Sequence, residues 1–255
     1  MCWSGEASAV VAVTGLASTA YFYKKGESRP LCYALLYFSL MELLQAYTYS
    51  VIDQCFDTRN TVATYLGYIH IAFQPVFINL VSLYFVPQPV RRRLFVPVML
   101  LALLGSLMFL VRILPIEWSR YCYEMTYYLA FFKELSFKLP FCGEQTCSTS
   151  GAWHIAWATP AAGNLILSNA YVIVAFALPL LYGAWRMTIY HIITGPLLAA
   201  LTTSDPNEWA AVWCLYSIGL LLLLIKTPIR TYIYETKFYG FDYPRWMTKS
   251  ASRNR

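Results

Sequence analysis

The chain has 255 residues, of which 58% are hydrophobic and only 13% are charged. Soluble domains carry about a quarter charged residues, and a single soluble core of this length does not hide so much apolar surface. The net charge of +6 is divided among clusters along the chain, which argues against a nucleic-acid-binding face. The composition therefore predicts that a lipid bilayer solvates most of the chain.

Apolar stretches of about 20 residues, the length needed to cross a bilayer, recur along the sequence. The predicted spans are 7–23, 30–52, 61–86, 94–114, 163–185, 187–203 and 208–225. An outer loop, 115–162, separates the fourth span from the fifth, and a basic tail, 226–255, follows the last one. The sequence thus predicts an all-α integral membrane bundle of about seven transmembrane helices, with residues 1–225 as one domain.

Basic residues recur in every second connection between these spans. They are Lys24, Lys25 and Arg29 after the first span, residues 91–93 after the third, Arg186 after the fifth, and the tail. Because cytosolic loops are enriched in Lys and Arg, this pattern predicts an N-terminus outside and a C-terminus in the cytosol. The tail is expected to attract anionic lipid headgroups. The pattern fits the plasma membrane and endomembranes alike.

Five of the seven cysteines fall on the predicted outer side, which favours disulfides over a zinc site. Cys142 and Cys147 are candidates for a disulfide that closes a small loop. A fully reduced state stays open at this point.

Two ionisable residues are predicted to lie near the bilayer centre. Glu42 in the second span and His70 in the third have nearly the same depth, and consecutive antiparallel helices are usually neighbours. Helical spacing places Gln45 and Tyr49 beside Glu42, and Gln74 beside His70. With Asn169 in the fifth span, these residues are candidate ligands of a polar pocket in the outer half. The alternative is a set of interhelical hydrogen bonds that only lock the helices.

His154 lies in the segment 151–157, between two tryptophans. If this segment dips inward, Glu42, His70 and His154 could bind a metal, and zinc is the metal such a set suits. An exposed interfacial His154 is the interpretation that we favour. Arg112 is expected to snorkel to the interface, and Trp209 and Trp213 are expected to pack in the core.

Three functions are compatible with these features. The first is binding or transport of a small molecule or ion in the outer-half pocket. The second is an intramembrane metal-dependent hydrolase, which resembles the alkaline ceramidase-like seven-pass enzymes but lacks the His-x-x-x-His pair of their late span. The third is a seven-helix receptor or sensor, for which retinal is disfavoured because Lys226 lies at the cytosolic edge of the last span. Whether the protein is an enzyme stays undecided.

The opening sequence, Met1 to Ser8, resembles an uncharacterised multi-pass membrane family that begins Met-Cys-aromatic-Ser-x-x-Ala-Ser. The stretch from Cys147 to Trp157 is similar to that family as well. The resemblance implies several membrane passes and no established activity. It also implies that Cys2, Ser4 and Glu6 act together near the outer face.

Overall fold

The structure is a computed structural model that describes residues 2–114, 124–129, 132–138, 140–160 and 165–248. Four uninterrupted helices come first: α1 (Gly5–Lys24), α2 (Arg29–Tyr49), α3 (Thr58–Tyr84) and α4 (Gln88–Val111). Residues 115–123 of the predicted outer loop and 249–255 of the tail lie outside the described residues.

The sequence explains where these helices begin. Ser4 caps α1 by accepting a hydrogen bond from the backbone of Ala7 at 3.3 Å, and Asp57 caps α3 by accepting one from Arg59 at 2.8 Å. Such caps satisfy backbone donors that have no partner inside the helix. Prolines in the first turns of α2 and α4 cost no hydrogen bond there. Helix α4 begins six residues before its predicted span, because helical hydrogen bonding does not stop at the edge of the apolar stretch.

The next two helical runs each contain a π-helical turn. The fifth run, residues 165–181, consists of α5 (Leu165–Val172), a π turn (Ile173–Ala177) and α6 (Leu178–Leu181). The sixth run, residues 185–202, consists of α7 (Trp185–Ile192), a π turn (Ile193–Leu197) and α8 (Leu198–Thr202). Both runs contain a proline, which removes one backbone donor and disfavours regular α-helical bonding around it.

Helix α9 (Trp209–Lys226) follows, and two short helices, α10 (Ile229–Ile233) and α11 (Arg245–Thr248), end the described chain. Helix α9 packs against α2 and the sixth run, and α3 packs against α2, α4 and the fifth run. A described helical run overlaps each of the seven predicted ranges, with bounds that differ by several residues. By length and composition, three helices among the described residues are able to cross a membrane: α3, α4 and α9.

The expectation of an all-α chain is wrong, because the predicted outer loop contains two antiparallel hairpins. Strand β1 (Glu124–Leu129) pairs with β2 (Phe132–Lys138), and β3 (Cys147–Ser150) pairs with β4 (Ile155–Ala158). Two strands of only four residues are too short for an alternating pattern to be recognised in the sequence. The described chain is nevertheless mostly helical.

The predicted disulfide between Cys142 and Cys147 is wrong as well. Cys147 is bonded to Cys55, which lies 92 residues away in the connection between α2 and α3, and Cys142 is itself disulfide-bonded. The short separation in sequence suggested a bond within the loop. In the fold, β3 packs against the first turns of α3, and this contact brings Cys147 to Cys55 instead. Asn60 supports this contact with bonds of 2.8–2.9 Å to the backbone of Val51 and Ser148.

Contacts between connections define two ends of the bundle. At one end, Arg230 after α9 pairs with Glu27 after α1 at 2.8 Å and donates a hydrogen bond to Tyr84 at the end of α3. At the same end, the backbone of Arg186 donates to Glu235 at 3.1 Å. The connections that carry the predicted cytosolic basic clusters therefore meet on one side.

At the opposite end, the backbone N–H of Trp3 donates to the carbonyl of Trp153 at 3.1 Å. The carboxylate of Asp53 accepts from the backbone and the hydroxyl of Ser150 at 2.7 and 2.6 Å. The N-terminus, the connection between α2 and α3 and the β3–β4 hairpin thus lie together at this end.

Candidate functional site

A cavity of about 280 Å³ lies between α3, α4, α9 and the fifth and sixth runs. Its lining includes two residues predicted as ligands, Gln74 and Asn169, together with Arg112. The rest of the lining is mainly aromatic and apolar, and it includes Phe109, Phe141, Tyr171, Phe176, Trp209 and Trp213. No Asp or Glu is present among the described residues that line it. An apolar chamber with a few polar groups is the usual form of a small-molecule site.

The cavity has a buried inner wall and an exposed outer edge. Gln74 and Arg112 are 0% and 2% exposed, whereas Val172 at the edge is 52% exposed and Asn169 is exposed too. Both exposed residues belong to α5, so the solvent-accessible part of the lining lies on this helix.

Hydrogen bonds fix the polar inner wall. The hydroxyl of Tyr171 donates to Oε1 of Gln74 at 2.6 Å, and Nε2 of Gln74 donates to Sγ of Cys214 at 2.9 Å. Because both ends of the amide are engaged, its orientation is set. The second N–H of Gln74 and its second lone pair remain for a further partner.

Arg112 does not snorkel as expected. Its guanidinium lies over the ring of Phe109, 4.6 Å from the centroid, and the residue is 2% exposed. The cavity lies beside this residue, which turns inward at the C-terminal end of α4. A buried guanidinium presents planar N–H donors that match a carboxylate or a phosphate.

The two π turns form part of the cavity wall, through Phe176 and Pro196. In the fifth run, the backbone N–H of Leu178 bonds the carbonyl of Ile173, and Pro179 has no N–H to offer to Val174. The carbonyl of Val174 accepts instead from the side-chain amide of Asn79 on α3, at 2.7 Å. The irregular turn is thus held by a side chain that sequence reasoning did not single out.

Trp213 forms the wall on α9. Its indole stacks against Phe176 and packs beside His191, with ring centroids 5.8 and 5.1 Å apart, and the buried Nε1 has no hydrogen-bond partner among the described residues. The periodic stripe of Trp209 and Trp213 predicted packing. It gave no sign that both residues also face a cavity.

A second buried polar group lies between α1 and α2. Glu42 and Gln45 are both fully buried, and none of their side-chain oxygen and nitrogen atoms has a hydrogen-bond partner among the described residues. The hydroxyl of Ser8 on α1 lies beside Glu42, and it accepts a hydrogen bond from Nε1 of Trp3 at 2.9 Å. The depth predicted for Glu42 is compatible with this buried position.

The β3–β4 hairpin turns inward and buries His154 completely, so the favoured interpretation of an exposed histidine is wrong. The turn is held by Glu208, whose carboxylate accepts from the backbone N–H groups of Ala152, Trp153 and His154 at 2.8–2.9 Å. A single acidic residue 54 positions away gave no signal of this role.

His154 is held as a neutral imidazole. Its Nδ1 accepts from the backbone of Ile155 at 2.8 Å and lies 3.3 Å from the hydroxyl of Tyr49, one of the predicted ligands. An accepting Nδ1 places the proton on Nε2. Burial lowers the pKa of His154 to about 3.

His70 lies apart from these groups. The ring of Tyr37 stacks between His70 and Phe77, with centroids 3.8 Å away on each side. His70 lines a shallow surface groove with Leu66 and Ile69, which are exposed. Glu42 and His70 thus occupy different faces, because similar depth on neighbouring helices does not fix the direction of a side chain.

The proposed metal set is not assembled. Among the residues that the structure describes, no three His, Cys, Asp or Glu side chains come together as metal ligands. Glu42, His70 and His154 therefore do not surround a common point. The structure does bring Gln74 and Asn169 together at the cavity, and Tyr49 together with His154 at the hairpin.

Comparisons with known proteins identify a family and no activity. The model of a family of unknown function, DUF5765, matches residues 6–234. No curated protein and no solved structure matches the chain significantly.

Proposed function

The chain belongs to the DUF5765 family of unknown function, and from that premise we propose that it crosses a membrane seven times and binds a small amphipathic anion in the 280 Å³ cavity. The observation that carries the binding proposal is the cavity wall itself, in which Arg112 and Gln74 lie buried among mainly aromatic and apolar side chains. The membrane and the ligand are argued separately below.

Exposed apolar side chains support seven crossings. Leu100 and Leu104 on α4 are 61% and 54% exposed, and comparably exposed apolar residues occur on each of the six remaining long helical runs. They include Val10 and Val13 on α1, Leu40 and Leu43 on α2, Leu66 on α3, Ile173 and Leu181 on the fifth run, Ile193 and Leu201 on the sixth, and Leu223 on α9. A soluble protein does not surround itself with so much apolar surface, whereas hydrocarbon solvates it.

The proposed orientation places the N-terminus outside and the C-terminal tail in the cytosol. The connections that contain basic clusters meet at the Arg230–Glu27 end of the bundle. The cysteine-rich hairpin region, with the bond between Cys55 and Cys147, lies at the opposite end. Cytosolic loops favour Lys and Arg, and disulfides favour oxidising compartments, so both features give the same orientation. The plasma membrane and endomembranes both satisfy it.

The ligand class follows from the lining. Arg112 supplies positive charge and Gln74 supplies its second amide N–H, while Phe109, Phe141 and Trp213 supply apolar surface. A carboxylate or phosphate on an apolar body satisfies both features. A volume of about 280 Å³ holds roughly nine groups of the size of a water molecule, which corresponds to a short-chain or single-ring ligand.

The position of the opening indicates how such a ligand enters. Val172 and Asn169 are the exposed lining residues, and both lie on α5. A molecule that partitions into the outer leaflet would reach this edge directly. Arg112 at the outer end of α4 would then meet the polar head while the apolar body fills the interior.

The alternatives receive no comparable support. A ceramidase-like hydrolase needs a three-ligand zinc set, and the described residues bring none together. A receptor or sensor role would rest on the number of helices alone, which is an analogy of fold.

A binding experiment tests the proposal with purified protein in detergent. Because Trp209 and Trp213 line the cavity, ω-bromooctanoate should quench tryptophan fluorescence saturably. The matched alcohol, ω-bromooctanol, should bind at least about tenfold more weakly, since it lacks the charge that Arg112 recognises.

Two variants and one control complete this experiment. Arg112→Leu should weaken ω-bromooctanoate binding at least tenfold, and Val172→Phe at the exposed edge should reduce access without adding a fluorophore that the ligand could quench. Arg59→Leu, an exposed control, should bind like the wild type. Equal quenching by acid and alcohol, unchanged in Val172→Phe, would show that the cavity does not bind this class of ligand.

A further inference from the structure

A second group of buried polar atoms has no role in the cavity. Ser8 on α1 and Glu42 and Gln45 on α2 are each 0% exposed. Glu42 and Gln45 are three positions apart, so they share one face of the helix. Ser8 lies beside Glu42 across the helix pair.

The hydrogen-bonding state of this group is unusual for a protein interior. By geometry, no hydrogen bond reaches the carboxyl oxygens of Glu42 or the polar atoms of the Gln45 amide from the described residues. The hydroxyl of Ser8 is near enough to act on Glu42 as a donor, but it can satisfy only one oxygen. Buried polar groups are normally paired, and an intramembrane carboxyl without a partner is costly. A hydrogen bond that locks α1 to α2 therefore does not account for the other oxygen or for the amide of Gln45.

The available ligand atoms are hard oxygens. Glu42 offers two carboxylate oxygens, Gln45 offers a carbonyl oxygen, and Ser8 offers a hydroxyl oxygen whose position is set by the bond from Trp3 at 2.9 Å. Oxygen ligands suit alkali and alkaline-earth cations rather than soft metals. One carboxylate balances a single positive charge, whereas Ca²⁺ sites usually gather several carboxylates.

We infer that Glu42, Gln45 and Ser8 bind a monovalent alkali cation between α1 and α2. The cation neutralises Glu42 and occupies the unpaired oxygens of the carboxyl and amide groups. The site is separate from the 280 Å³ cavity, because none of these three residues lines that cavity. The inference therefore does not depend on the proposed anionic ligand.

Thermal unfolding in detergent tests the inference. Sodium chloride is titrated against choline chloride at constant ionic strength and constant pH, and the melting temperature is recorded. We expect the melting temperature to rise saturably with Na⁺ in the wild type. Glu42→Gln and Gln45→Leu should each increase the apparent Kd for Na⁺ at least tenfold.

The matched control is Glu6→Gln, which removes an exposed acid in the first turn of α1 and should keep the wild-type response to Na⁺. Gln45→Asn, which retains the amide but shortens the side chain, should give an intermediate Kd and covers the case in which Glu42→Gln does not fold. A melting temperature independent of Na⁺, or an unchanged response in both Gln45 variants, would overturn the inference. A response to pH alone would overturn it too, since it would identify a proton site.

Discussion

At the scale of single residues, one glycine sets how closely α4 approaches the fifth run beside the cavity. A Cβ added at Gly105 would lie 2.5 Å from a methyl carbon of Val174, the residue whose carbonyl Asn79 holds. That distance requires a shift of the branched side chain of Val174 and of the π turn that carries it. Close helix contact through small residues is a common feature of membrane bundles.

We expect Gly105→Ala to lower the free energy of unfolding by about 1–3 kcal/mol, because overpacking forces such shifts. Gly219→Ala on α9 is the matched control, since a Cβ there would meet no atom within 4 Å. Chemical denaturation in detergent measures both variants. Equal stability of the two would contradict the close approach of α4 and the fifth run.

Polar side chains that interrupt apolar helices were the residue-level signal in the sequence, and two of the six candidate ligands chosen from it line the cavity. Gln74 and Asn169 were chosen for that reason, and both line the cavity. Arg112 and His154 were misjudged, because their sequence neighbourhoods suit an interface and only tertiary contacts turn them inward. Glu208 and Asn79 act on backbone groups 54 and 95 positions away, a relation that no local pattern encodes.

At the scale of elements, the π turn of the fifth run depends on two residues that act together. Pro179 lacks the backbone N–H that would bond the carbonyl of Val174, and the side-chain amide of Asn79 supplies a donor in its place. Asn79→Leu leaves the buried carbonyl of Val174 and the hydroxyl of Tyr182 unpaired, and we expect it to destabilise the protein by about 2 kcal/mol. In a Pro179→Ala background, the restored backbone N–H can bond the carbonyl of Val174. Asn79→Leu should therefore lower the free energy of unfolding by less in that background. A double-mutant cycle measures the difference, and strictly additive effects would contradict the coupling.

The β3–β4 hairpin should make stability depend on pH through His154. Its pKa is about 3 in the folded protein and about 6.5 in the unfolded chain. Between these values the unfolded chain binds the proton and the folded protein does not. The free energy of unfolding therefore falls as pH drops below about 6.5, by up to about 1.4 kcal/mol per pH unit, and this group adds no dependence above that range.

The comparison of wild type with His154→Gln isolates this effect. Denaturation midpoints measured from about pH 7 to about pH 4 should converge as pH falls, because the variant lacks the titrating group. Parallel curves for the two proteins would show that His154 is not buried as a neutral imidazole.

Sequence patterns predict some of these elements better than others. The described helical runs overlap the predicted ranges because apolar stretches of this length favour helices. The β3–β4 hairpin was missed because its strands have four residues each. The bond between Cys55 and Cys147 follows from how the hairpin docks on α3, so spacing alone could not identify it.

At the scale of the whole molecule, we propose seven crossings, and among the described helices α3, α4 and α9 meet the length and hydropathy expected of a membrane span. Two observations support a crossing by each of the other four runs. They expose apolar side chains as α3, α4 and α9 do, and successive connections between runs lie at opposite ends of the bundle. If only the three long apolar helices crossed, residues 2, 25 and 56 would all lie on one side of the membrane.

The most direct measurement is labelling of single cysteines with a membrane-impermeant maleimide in sealed vesicles of known orientation. Cys2 is exposed and free, whereas Cys32 and Cys214 are buried. Cys2 is labelled in the wild type, and Lys25→Cys, Phe56→Cys, Arg92→Cys and Lys237→Cys are each examined in a Cys2→Ser background. We expect positions 2 and 56 to be labelled from the outside and positions 25, 92 and 237 only from the cytosolic side. Labelling of positions 2, 25 and 56 from the same side would contradict the seven-helix account.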